Sequence, residues 1–235
     1  MTAPLKILGL AAALGLVACN QNTPAVDSAS QTPPAESSTT TAETAPIAPA
    51  PIADASVPAP QLQAAMRDLW HGHITHARDY ALAMHAGNAD DANAAADAVV
   101  ANARQLSDAV AGFYGQAGGD RMMELLGGHW GAVKALTDAR TMDDDAAATT
   151  AMADLNANAG EIAKFLAGAN PNLPEDAVRG MMLAHGAHHV QQIQQIMAGD
   201  MAAEATSWTA MQEHMDMIAD ALAAAIAKQF PDKAN

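Results

Sequence analysis

Between residues 61 and 235, apolar side chains recur at three- and four-residue intervals, and no stretch alternates with period two. The pattern predicts an all-α, antiparallel bundle of about six helices. The first is expected over residues 61–86 and stopped by Gly87; its stripe is Leu62, Met66, Leu69, His73, Ala77, Tyr80 and Met84. The second spans about 91–116 and ends at Gly118-Gly119. Asp120 is placed to cap the third, which runs to about residue 140. Asp143 to Asp145 supply acid to the start of the fourth, which reaches about 167. Pro171 and Pro174 then break the chain, and Pro174 suits the first turn of a fifth helix ending near 198. The sixth covers about 201–230, with Pro231 after it. Short connections make successive helices antiparallel neighbours.

The stripes carry more than hydrocarbon. His73 falls between Leu69 and Ala77, His129 between Leu125 and Val133, and His185 between Met182 and His189, so these imidazoles should face the interior. Their spacing is 56 residues twice over, the length of one helical hairpin with its connections, which points to an internal repeat. His76 and His188 follow His73 and His185 at i+3, on the same helix face. His214 sits at the flank of the stripe formed by Met211, Met215 and Ile218. His71 and His85 fall off the seam and are expected in solvent.

Interior histidines have two readings. They converge on a transition metal, as ligands do from facing helices of bundles, or each is a neutral core ring bonded to a carbonyl or hydroxyl. Burying three or four unpaired rings at one depth is costly, which favours a metal. The expected ligands are His73, His129 and His185, with His76, His188 and His214 secondary. Imidazole suits zinc, copper, iron and nickel, and the thirteen methionines that follow Cys19 bring copper forward beside zinc. A di-iron carboxylate site is not expected, because Glu-x-x-His pairs are missing. Asp79 and Glu161 are the remaining polar candidates, each with a surface alternative. Gly127-Gly128, just before His129, either admits a close neighbour or kinks the helix.

Everything ahead of residue 61 is of another kind. Lys6, the apolar run from Ile7 to Ala18 and the single cysteine in Leu16-Val17-Ala18-Cys19 have the layout of a signal segment, too short to span a bilayer. The segment resembles the lipobox of bacterial lipoproteins, which implies cleavage before Cys19 and its acylation; an ordinary secretory signal is the alternative. The expected organisation is a signal peptide over 1–18, a lipidated Cys19 with a Pro/Ala/Ser/Thr linker through residue 60, and a helical domain over 61–235. The linker holds eight of the twelve prolines and no basic or aromatic residue, so it cannot bury enough to offset ordering entropy. At about 3.1 Å per residue in polyproline II, its reach is on the order of 100 Å.

Net charge is −15, and loss of residues 1–18 would remove Lys6 and no acid. Such a surface repels nucleic acid and anionic headgroups, so the expected membrane contact is the acyl group on Cys19, in the cell envelope and facing the periplasm. No phosphate loop, HExxH or serine elbow occurs, and no enzymatic activity is expected.

The helical domain is similar to an uncharacterised family of bacterial helical proteins in Leu69-Trp70 with His73, in Ala157-Asn158-Ala159 leading to Glu161-Ile162-Ala163 and Phe165-Leu166, and in the tail Lys228-Gln229-Phe230-Pro231-Asp232-Lys233. That resemblance implies a compact helical fold and no particular activity. Met181-Met182 with His185, His188 and His189 also resembles the Met/His helices of ferritin-like periplasmic proteins that handle metals. The resulting expectation is a tethered envelope protein that sequesters or senses a transition metal. A non-catalytic scaffold or interaction lipoprotein with structural histidines is the alternative.

Overall fold

The computed structural model describes residues 59–234. The expected signal peptide, Cys19 and almost all of the linker lie outside the described residues. Within them the secondary structure is helical: α1 (Pro60–His85), α2 (Ala89–Tyr114), α3 (Gln116–Thr141), α4 (Asp145–Ala169), α5 (Glu175–Met197) and α6 (Met201–Gln229). No helix among the described residues is long and apolar enough to cross a membrane.

The helices close into a ring by chain order. α2 packs between α1 and α3, α4 between α3 and α5, and α6 between α5 and α1. α1, α3 and α5 also touch one another, so they form an inner triangle with the even-numbered helices in its outer grooves.

The 56-residue repeat extends through the whole domain. Asn88, Asp144 and Asp200 each cap an even-numbered helix, with the side-chain oxygen accepting from the backbone N–H three residues on. The residue before each cap, Gly87, Asp143 or Gly199, has φ between 55° and 70°, the left-handed turn that frees the cap side chain. Core positions repeat in the same way: Met66, Met122 and Val178 are all buried, as are Leu106, Ile162 and Ile218.

One boundary departs from expectation. α2 ends at Gly115 (φ 79°), and Gly118-Gly119 lie inside the first turn of α3. The reason is contact: a Cβ on Gly119 would sit 2.9 Å from the Ser107 carbonyl oxygen and 2.7 Å from the Ala111 Cβ. The glycine lets α3 pass close against α2. Asp120 is therefore not a cap, and its carboxylate accepts from Gln116 instead.

Two large apolar clusters fill most of the interior, with a small third one around Ala59, Ala227 and Ala234. One includes Met66, Trp70, Leu126, Met182 and Ile218, and the other Tyr80, Trp130, Val133, Ile193 and Ile196. The interior histidines of α1, α3 and α5 fall in the register between them.

Candidate metal centre

His73, His129, His185 and His189 meet inside the inner triangle. One ring nitrogen from each lies within 4.8 Å of the others. Exposures of 2, 5, 2 and 1 % put all four out of reach of bulk water. Every pair is in ring contact, with centroids 4.5 to 5.9 Å apart. The His129 and His185 rings are nearly parallel, 18° apart, and Trp70 meets His73 in a T-shaped contact.

Helix geometry explains the convergence. α1, α3 and α5 run in the same direction and bear their first interior histidine at the same place in the repeat, so three rings arrive at one level. His189 comes from one turn further along α5, on the same face as His185.

The polar atoms of this layer are poorly satisfied by protein. Both nitrogens of His73, Nε2 of His129 and Nδ1 of His185 are buried without a hydrogen-bond partner. The Nε2 atoms of His185 and His189 face each other at 3.2 Å. An unpaired buried polar group costs about 1–3 kcal/mol, so the layer as a whole weighs several kcal/mol against folding unless something binds the lone pairs.

Burial also fixes the charge state. It lowers the His73 pKa to about 3, with the His129 and His76 rings contributing, and that of His129 to about 4, against a partial offset from Asn158. His185 and His189 are pushed well below the ordinary imidazole value, first by burial and then by the neighbouring rings. Near neutral pH the cluster is therefore four uncharged imidazoles, the protonation state that ligates metal. Tetrahedral zinc with bonds of roughly 2.0–2.1 Å needs nitrogens roughly 3.3 Å apart. The His185–His189 pair already has that spacing, and the other rings need only close inward.

The remaining expected ligands lie elsewhere. His214 is buried, but its Nε2 bonds the Met181 carbonyl oxygen at 2.9 Å, and its ring packs against half-buried His188. His76 is half-buried and stands apart from the group. His71, expected in solvent, is half-buried, and its Nε2 meets Asp216 at 2.8 Å; His85 is exposed as expected. Asp79 and Glu161 are both exposed, Glu161 against Arg121. Gly128 gives room to a neighbour, since a Cβ there would meet the Asn158 side-chain nitrogen at 3.0 Å.

His189 is the member that sequence reasoning passed over. It lies on the apolar stripe after His185, and its equivalents in the other two hairpins are Ala77 and Val133. The signal was His185-x-x-x-His189, two imidazoles four residues apart on one helix face.

A second buried polar group joins α6 to α1 and α5. Glu204, with 0 % exposure, accepts two bonds from Arg78 (2.6 and 2.9 Å) and one from Gln192 (3.0 Å). Arg78 also stacks on Trp208. The guanidinium holds the Glu204 carboxyl below its ordinary pKa, so the pair is ionised.

No family model matches this chain, and no curated protein or solved structure shows significant similarity to it.

Proposed function

We propose that the domain binds one transition-metal ion through His73, His129, His185 and His189. The observation that carries this reading is four buried imidazoles, with a donor atom of each within 4.8 Å of the rest and with at least one ring nitrogen of His73, His129 and His185 lacking a partner. Four neutral nitrogen donors without a carboxylate suit zinc and copper and are poor for magnesium or calcium. A tetrahedral set of this kind favours Zn(II) or Cu(I), whose filled d shells impose no other geometry.

All four donors come from protein, so the bound ion keeps no position for a substrate. Sequestration or sensing follows from that, rather than turnover. Joined to the lipobox-like segment at Cys19, the reading is a lipid-tethered envelope protein that presents a buried metal centre at the end of a long linker. Elemental analysis of the purified native protein, followed by calorimetric titration of the metal-free form with Zn(II) and with Cu(I), tests it. Stoichiometric uptake lost in His73→Ala and His129→Ala supports the reading. No uptake of either ion at neutral pH ends it, and leaves a scaffold with structural histidines.

A further inference from the structure

Each histidine of the inner triangle is accompanied by one polar side chain from the outer helix of its own hairpin, 29 residues later in the chain. These are Asn102 for His73, Asn158 for His129 and His214 for His185. All three make the same bond. Asn102 Nδ2 donates to the Leu69 carbonyl oxygen at 2.9 Å, Asn158 Nδ2 to that of Leu125 at 3.0 Å, and His214 Nε2 meets that of Met181 at 2.9 Å. Leu69, Leu125 and Met181 each lie one helical turn before the histidine concerned. The glycines next to His73 and His129 make room: a Cβ on Gly72 would lie 2.8 Å from Asn102 Nδ2, and one on Gly128 3.0 Å from Asn158 Nδ2.

What these side chains leave over is as regular as what they bond. A carbonyl oxygen only accepts, so the two asparagines present Nδ2 to it and keep Oδ1 as a spare acceptor. Both of those oxygens are buried with no partner. His214 must carry its hydrogen on Nε2, and in its neutral form Nδ1 is then an acceptor too. Nδ1 of His73 and Nδ1 of His185 are likewise buried and unpartnered, and Asn158 partly offsets the lowering that burial imposes on His129. Ligating histidines generally direct their second N–H to such an acceptor, which fixes ring and tautomer.

We propose that Asn102, Asn158 and His214 are positioning residues that hold His73, His129 and His185 as Nδ1–H tautomers, with Nε2 turned toward the metal. The inference rests on the metal-binding reading for its purpose. It makes His214 the functional equivalent of an asparagine and not a ligand.

The test uses the full chain with His214→Asn, His214→Leu and Asn158→His. Metal-free protein is measured by long-range ¹H–¹⁵N imidazole spectra, which report tautomers directly, and then titrated with Zn(II) and with Co(II) as a spectroscopic probe. His214→Asn keeps donor and acceptor, so it should bind within a few-fold of wild type with an unchanged Co(II) spectrum. His214→Leu should bind about 10- to 100-fold more weakly and lose the fixed Nδ1–H signal of His185. Asn158→His, which installs the third hairpin's solution in the second, should retain the His129 tautomer. If His214→Leu does not fold, the two conservative variants decide. A Co(II) spectrum altered in His214→Asn would make His214 a ligand and overturn the proposal, as would unchanged tautomers and affinity in folded His214→Leu. Failure of wild type to take up metal would refute the function above, while the metal-free spectra would still judge the tautomers.

Discussion

Nε2 of His185 and Nε2 of His189 lie 3.2 Å apart across a single turn of α5, the edge length of a tetrahedron around zinc. Two of four donors are thus brought to bonding separation by one helix. Replacing His189 by valine, the residue that Val133 supplies at the matching place in the second hairpin, should leave the fold intact and remove one donor. We expect affinity for Zn(II) to fall roughly 100-fold. The Co(II) form should then bind azide, which the wild type does not, and titration of its visible absorption with azide checks this.

Acid should destabilise the metal-free protein well before its carboxylates titrate. The four rings have folded pKa values far below the unfolded value of 6.5, so between the two the unfolded chain binds more protons and stability rises with pH. The stabilising effect of keeping the rings neutral is complete above pH 6.5 and is lost as pH falls toward 4. His73 and His129, with folded values of about 3 and about 4, account for about 2 kcal/mol each between pH 7 and pH 5, and His185 and His189 act in the same direction. Urea unfolding at the two pH values, on wild type and on His73→Phe, should show a smaller pH effect in the variant.

Metal should raise thermal stability by mass action. At a free concentration one hundred times Kd, binding adds about 2.7 kcal/mol, or about 8 °C in Tm for a domain of this size. Differential scanning calorimetry with and without a chelator measures it. The same comparison on His129→Ala should show almost no difference.

The Arg78–Glu204 pair gives a test independent of metal. Arg78→Met strands a carboxylate with 0 % exposure and should cost about 3 kcal/mol. Glu204→Ala installs the residue that Ala92 and Ala148 hold at the same place in the other hairpins, and should cost less. The double variant should recover part of the loss in Arg78→Met, as read by denaturant midpoints.

The helix count and the interior face of His73, His129 and His185 were legible from apolar spacing, because an amphipathic helix in a bundle has one buried face and hides little. The join at Gly115 was not: glycine marks both a turn and a close approach, and sequence does not tell which is meant by Gly118-Gly119. His189 was on the page as a stripe residue, but a repeat directs attention to what recurs, and this ring does not. His214 failed for a related reason. Its equivalents are Asn102 and Asn158, and only the structure shows that all three bond a main-chain carbonyl in the same way.

The inner triangle has an arithmetic consequence. Three identical hairpins around an axis can present donors only in threes, so a self-assembling trimer would offer an ion three nitrogens or six. Four-coordination requires one copy to differ from its siblings, and a single polypeptide that carries all three hairpins can mutate one alone. Covalent fusion is thus what allows a fourth imidazole at a threefold centre, and α5 is the helix that carries it.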